Sequence, residues 1–426
     1  MHTIAIFSTL ANFDRSYSLV SVIVNQARML KEYSENNVEI WVMENCRDDY
    51  PEDLKENIRK IVPVFTWEAC VVNDGMVPII QNVLQDGINR GVKNFLCHDI
   101  ILVDSYITYN EAMRRVSSIN AGVNWYFWMH SGPHPRPAIL SNRIEYLHHT
   151  LPDNGYLVYL NYLDQARAAN MYDGVTTSNS YVVYNIADAI DISKIDDKLA
   201  LEIANRYHYN DARVRCIYPF STTRMDMKNV SYVLEILDLI KKRGLDVKFM
   251  ACNCHANALS EFTALDKILN IYTNKPYTLN KKDIIFTSKY NIPEYSYSIP
   301  HSTVVDLFKL SNLFIFPTLS EVCPLVLQEA ALTNNLIVLN SSFPPLAEIV
   351  GFNGALHFPF GSILSALRFG TNNTYEERIN HFNWVVDNII PALSKGFYQT
   401  NAMYNVIRNF SPKCIWESQY KPMLNI

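Results

Sequence analysis

The chain has 426 residues, 49% of them apolar and 19% charged, enough for two or three domains with substantial cores and too apolar for a disordered or fibrous protein. Its formal charge of −5 is uneven: residues 1–212 carry 17 Lys and Arg against 26 Asp and Glu, and the remainder 20 against 16. The second half is therefore the better home for an anionic ligand, and the acidic first half argues against broad nucleic-acid or anionic-membrane binding there.

Residues 3–7 read as a first strand, followed by a polar loop with Asp14, Arg15 and Ser16, a helix from Tyr17 or Ser18 through Leu30, and a strand over 38–43. A helix over 77–89, a strand over 94–97, a helix over 109–116 and apolar runs at 125–129 and 157–160 continue the alternation. A short segment at 174–176 and a helix over 180–189 close the first half, and the charged stretch 191–210 leads to a domain boundary. The pattern restarts with a strand at 214–218, a helix at 229–242, a strand at 247–251, a helix at 257–269, a strand at 283–286 and a helix at 303–310. Residues 375–424 read as mostly helical, with Phe382, Trp384, Phe397, Tyr404, Phe410, Trp416 and Tyr420 at core spacing. The expectation is an α/β protein of two doubly wound, Rossmann-like parallel-sheet domains facing one another: 1–210, then 211–400, with 401–426 returning to the first.

Residues 313–342 carry the clearest chemistry. A strand at 313–316 ends at Pro317, a polar loop holds Thr318, Ser320 and Glu321, and Pro324 fits the first turn of a helix running through Leu332. Glu321 and Glu329 thus flank a helix N-terminus, a place that attracts phosphate. Two carboxylates beside a phosphate site suit the hydroxyls on either side of a diphosphate, the layout of a nucleotide sugar. The plain alternative is a solvated loop acid and a helix-surface residue. Arg224 and Lys228, between a strand end and a helix, are placed to neutralise a diphosphate and stabilise it as a leaving group.

Together these residues resemble the retaining glycosyltransferases of family 4, which have the two-domain GT-B fold. RMDMKN looks like the family's Arg and Lys element, SEVCPLVLQEA like its pair of glutamates, NLIVLNSSFPPLAEIVG like the segment that follows, and FSPKCIWESQY like its closing helix. The resemblance implies that Arg224 and Lys228 contact the donor diphosphate, Glu329 the ribose hydroxyls and Glu321 the transferred sugar. It implies donor contacts from Val322, Cys323, Pro324 and Leu325, where many members have glycines. The glycine-rich loop after the first strand is also missing, and Ser16 and Ser18 offer hydroxyls instead. By the same resemblance His130, after an apolar run, contacts the sugar or the acceptor; His134 is a lesser candidate, and Asp99 and Arg136 are further acceptor-side candidates.

No Asp-x-Asp motif is present, and a metal-independent transfer with no cofactor beyond the nucleotide sugar fits that, since Arg224, Lys228 and a helix N-terminus can do a divalent cation's work. The spacing of Cys252, Cys254 and His255 is too tight for a usual structural zinc site. The acceptor is open between a glycan and a hydroxymethylated pyrimidine of phage DNA. The second is favoured by an Asn-, Ile- and Tyr-rich, glycine-poor composition and by the cluster of Arg90, Lys93, Arg114, Arg115, Arg136 and Arg143. A sugar-nucleotide epimerase of the same fold and a non-catalytic nucleotide-sugar binding protein are the alternatives. No apolar run reaches the ~18 residues of a membrane span and the start lacks the basic flank of a signal peptide, so a cytoplasmic protein is expected, in the host cytoplasm if phage-encoded.

Overall fold

The computed structural model describes residues 2–13, 17–221, 224–252, 278–290, 299–361 and 375–425. The chain forms two compact units, residues 1–186 with 412–426, and residues 187–411.

Unit 1 is built on a seven-stranded sheet in the order β3-β2-β1-β4-β5-β6-β7, every neighbouring pair parallel. Its strands are β1 (Thr3–Phe7), β2 (Asn37–Met43), β3 (Ile58–Val62), β4 (Val92–His98), β5 (Asn124–Trp128), β6 (Gly155–Tyr159) and β7 (Ser180–Val182). Helices α1 (Ser18–Tyr33), α2 (Val77–Asn89), α3 (Ile107–Ser117), α4 (Arg143–His149) and α5 (Gln165–Ala169) make the connections. Runs such as IAIF in β1 and WYFW in β5 are buried because a parallel sheet covered on both faces leaves no wet side. Trp41 sits in the middle of this core, edge-on to Phe95, which stacks on Trp125 with ring centroids 4.3 Å apart.

Gly87 of α2 lets the helix lie on Trp41. A Cβ at Gly87 would fall 2.5 Å from Trp41 Cζ2, well inside van der Waals contact. Gly87→Ala is therefore expected to destabilise the chain by ~1–3 kcal/mol despite alanine's better helix propensity, read as a lower urea midpoint at unchanged slope.

Unit 2 holds a six-stranded parallel sheet, β10-β9-β8-β11-β12-β13. Its elements are α6 (Ala189–Lys194), α7 (Lys198–Arg206), β8 (Val214–Pro219), α8 (Val230–Lys242), β9 (Val247–Cys252), β10 (Ile284–Phe286), α9 (His301–Leu310), β11 (Leu313–Phe316), α10 (Leu325–Leu332), β12 (Leu336–Asn340), α11 (Pro345–Val350), β13 (Leu356–Phe358), α12 (Tyr375–Ala392) and α13 (Phe397–Phe410). Both sheets have the order 3-2-1-4-5-6, so this is a two-domain Rossmann-like fold. A last segment, α14 (Pro412–Ile415), a π turn (Trp416–Tyr420) and α15 (Lys421–Leu424), belongs to unit 1. Gln26 Nε2 donates to Tyr420 Oη (2.7 Å), and Tyr126 Oη donates to the Met423 carbonyl (2.8 Å).

The units divide after Ile186 rather than at 210, because α7 packs on α9 of the second sheet. The return to unit 1 starts at Pro412 rather than 401, since α13 packs on α10 and α11. The expected helix over 180–189 is instead strand β7, paired with β6, where Tyr181 and Val182 suit a pleated edge. The segment at 174–176 belongs to a turn, and β3, α4 and β13 are elements the sequence pattern did not reveal. Of the terminal aromatics, Phe382, Phe410, Trp416 and Tyr420 are core, whereas Trp384, Phe397 and Tyr404 are exposed. The expected helix over 257–269, Ser16, Cys254 and His255 lie outside the described residues. Among the described residues no helix is long and apolar enough to cross a membrane.

Candidate active site

In a sheet of order 3-2-1-4, ligands bind beyond the carboxyl ends of the strands where the order reverses, here between β8 and β11. The loop after β8 carries Arg224 and Lys228, and the loop after β11 carries Glu321. The two loops are stitched together. Leu319 N donates to the Met227 carbonyl (2.9 Å), and Asn229 Nδ2 donates to the Pro317 carbonyl (2.8 Å) from a left-handed backbone (φ 49°). Tyr218 Oη, rooted in β8, donates to the Lys228 carbonyl (3.1 Å).

Lys228 Nζ forms an ion pair with the Glu321 carboxylate and lies 5.3 Å from the centre of the Phe316 ring. Burial, and secondarily the Arg224 guanidinium, push the Lys228 ammonium down to about 7. The Glu321 contact opposes that shift by favouring the charged form. Arg224 is exposed, and among the described residues its guanidinium makes no ion pair. The site thus holds one cation already paired to a carboxylate and a second with its charge unspent.

Glu329 is 4% exposed, which removes the plain reading of a helix-surface residue. One carboxylate oxygen, Oε1, contacts Nε2 of His301 at 2.6 Å. The other, Oε2, is buried with no hydrogen-bond partner among the described residues. A buried acceptor left unmade costs ~1–3 kcal/mol, and more for a charged group, so Oε2 is open to a donor that the described residues do not supply. Pro324 is the residue preceding α10, with ψ 121°, rather than its first helical residue. Val322, Cys323 and Leu325 are buried.

In unit 1, His130 follows β5 and His98 ends β4. Asp99, at φ 58°, accepts from the His130 backbone N–H (2.9 Å) and so fixes the turn. His98 and His130 stack 18° from parallel, with His98 Nδ1 2.8 Å from His130 Nε2 and His98 Nε2 2.9 Å from Gln26 Oε1. These contacts order the protons. Gln26 gives its N–H to Tyr420, so its oxygen accepts from His98 Nε2–H; His98 Nδ1 then accepts from His130 Nε2–H. Burial holds both rings below the usual histidine range, with His130 lowering His98 further and Asp99 partly restoring His130. In the neutral ring His130 Nδ1 keeps a lone pair, an acceptor for a hydroxyl.

Arg136 is held by Asp173 at 2.6 Å. The other arginines of the basic cluster are also engaged. Arg143 pairs with Glu111 and Asp74, Arg115 with Glu111, and Arg90 approaches Glu39 at 4.0 Å. Arg114 donates to the Leu147 and Thr150 carbonyls.

No family model matches the sequence, and no curated protein matches it. Solved structures do. Anabaena Alr3699/HepE in complex with UDP superposes with a TM-score of 0.64 at 12% identity over 100% of both chains. A glycosyltransferase from Rickettsia africae gives 0.64 at 13% identity, over 99% of this chain and 98% of that one. The sucrose-phosphate synthase of Thermosynechococcus elongatus gives 0.65 at 10% identity over 100% of both. What they share with this chain is the fold.

Lys228 and Glu321, expected at one site, are in contact, and Arg224 lies on the same loop as Lys228, with its carbonyl accepting from Lys228 N. Sequence reading missed His301, which contacts Glu329 across 28 residues of chain, and Asn340. Asn340 Nδ2 donates to the Thr318 and Gly361 carbonyls, and Oδ1 accepts from Ser342 N and Phe360 N. One buried amide thereby pins the loops after β11, β12 and β13. Asparagine at a strand end was its only visible signal.

Proposed function

We propose that the chain is a retaining, metal-independent glycosyltransferase that moves a sugar from a nucleotide diphosphate donor to an acceptor hydroxyl. The observation that carries this reading is Glu329, whose buried Oε2 has no partner among the described residues while a cation-lined switch point lies on the same sheet. A ribose hydroxyl supplies the missing donor. Uridine is the base favoured, by the likeness to HepE, which was solved with UDP and with UDP-glucose.

The Lys228–Glu321 contact matches the donor's own geometry, in which a phosphate adjoins the anomeric carbon. Lys228 and Arg224 hold the phosphates, and Glu321 accepts from the sugar hydroxyls beside them. As the diphosphate departs, the two cations neutralise its growing charge. A donor phosphate oxygen takes the acceptor proton as the new glycosidic bond forms on the same face, so no protein nucleophile is used. His130 Nδ1 accepts from a hydroxyl and orients it.

A depressed Lys228 pKa has a consequence for pH. Burial and Arg224 bring the loss of its ammonium down toward about 7, and the Glu321 contact holds it to the alkaline side of that. Affinity for a nucleoside diphosphate therefore falls as pH rises above about 7, by up to ~tenfold per unit. Calorimetry near pH 6 and near pH 8 in two buffers of different ionisation heat checks this: binding at the higher pH takes up a proton, and Lys228→Met removes the uptake.

A glycan acceptor is favoured over hydroxymethylated DNA, because Arg90, Arg114, Arg115, Arg136 and Arg143 are already committed to acids or carbonyls. Product analysis separates the alternatives. A transferase releases nucleoside diphosphate in step with acceptor; an epimerase changes the sugar without one; a binding protein does neither.

A further inference from the structure

Away from the switch point of unit 2, two connections and helix α4 of unit 1 bring together Cys70, Asp104 and His148. Cys70 lies between β3 and α2, Asp104 between β4 and α3, and His148 in α4. Their ligand atoms, a thiol sulfur, a carboxylate oxygen and an imidazole nitrogen, all lie within 4.8 Å of one another.

The imidazole is oriented for a cation. His148 Nδ1 lies 2.8 Å from the Ile101 carbonyl, which can only accept, so Nδ1 carries the proton. In the neutral ring Nε2 then bears a lone pair, and it faces Asp104 Oδ1 at 3.2 Å. Nε2 is buried and makes no hydrogen bond among the described residues, so the carboxylate is near but badly aimed. A positive charge between these two atoms, either the ring's own second proton or a metal ion, satisfies both. A backbone carbonyl on the far nitrogen of a histidine is the usual outer support of a metal ligand.

The loops are already tied. Cys70 N donates to the Asp104 carbonyl (3.3 Å), Asn73 N to Thr108 Oγ1 (3.0 Å), and Arg143 of α4 pairs with Asp74 (3.3 Å). Tetrahedral zinc with bonds of ~2.0–2.3 Å sets its ligand atoms about 3.3–3.8 Å apart. Small rotations of Cys70 and Asp104, both exposed, close the remaining gap.

We propose that Cys70, Asp104 and His148 bind a zinc ion, with a fourth position open to water. A thiolate in the set selects a borderline-soft ion over magnesium or calcium. On binding, the Cys70 thiol gives its proton to solvent and the ion cross-links the two connections to α4. The residues differ from those assigned to the donor, so this site stands or falls apart from the transferase reading.

The test uses the full chain, stripped with a chelator and titrated with Zn2+ alone or Co2+ alone. The expected result is one equivalent of zinc by dialysis, a raised melting temperature, and a thiolate-to-cobalt charge-transfer band. Cys70→Ser abolishes the band, and Asp104→Asn weakens binding; both positions are exposed, so the variants fold. Absence of the band in the wild type, or its persistence in Cys70→Ser, overturns the proposal.

Discussion

Arg224→Ala is expected to lower kcat by ~10²- to 10³-fold, the loss of ~2.7–4 kcal/mol that follows removal of one preorganised charge from a developing anion. Arg224 is the cleaner of the two cations to remove. It is exposed and makes no ion pair among the described residues, so its loss leaves nothing unpaired in the free protein. Lys228→Met is expected to cost a similar factor, but it also leaves Glu321 without its cation. The double variant should fall short of the product of the two, because both charges act on one diphosphate. Single-turnover kinetics with a working donor checks this. Wild-type rates in Arg224→Ala would contradict the assignment of the leaving-group site.

The second large effect is expected at Glu329. Glu329→Gln keeps the shape and an acceptor for His301 but removes the charge that strengthens hydrogen bonds to ribose. One charge-assisted bond from ribose to Oε2, at ~1.5–3 kcal/mol, sets the expected loss at ~10- to 150-fold in Kd. The fold should tolerate the change, because the wild-type oxygen Oε2 is buried and makes no hydrogen bond among the described residues. Weaker nucleotide binding at a nearly unchanged melting temperature is the signature of a group kept for a ligand. A large drop in melting temperature with unchanged nucleotide affinity would make Glu329 a structural residue.

The legible parts of the fold were those in which local pattern and tertiary context agree. The helices at Val77–Asn89 and Leu325–Leu332 and the strand Leu313–Phe316 fall where the sequence pattern placed them. Strand β7 was misread as helix because three residues are too few to show a period of two, and only pairing with β6 decides them. The domain boundary was misplaced for a related reason: α7 looks like a linker until its packing on α9 is seen.

Within the site, residues adjacent in sequence to a motif were legible and those reached through space were not. Arg224, Lys228 and Glu321 follow strand ends and announced themselves. His301 and Asn340 meet the site from α9 and β12, and nothing in their local sequence distinguishes them from a helix start and a strand end. The same limit hid the order of Gln26, His98, His130 and Tyr420, a chain that joins positions 394 residues apart. Its last member lies in a π turn, a conformation often found at functional sites, and one that no periodicity argument anticipates.

The central claim, that unit 2 binds a nucleotide sugar through Arg224, Lys228, Glu321 and Glu329, is tested most directly by a thermal-shift panel. UDP-, GDP-, ADP- and TDP-sugars would be compared on wild type, Arg224→Ala and Glu329→Gln. The account predicts that one nucleotide class stabilises the wild type by ~2.7 kcal/mol at a hundredfold its Kd, and that both variants lose most of the shift. No shift with any nucleotide sugar, or an equal shift in wild type and both variants, would contradict it.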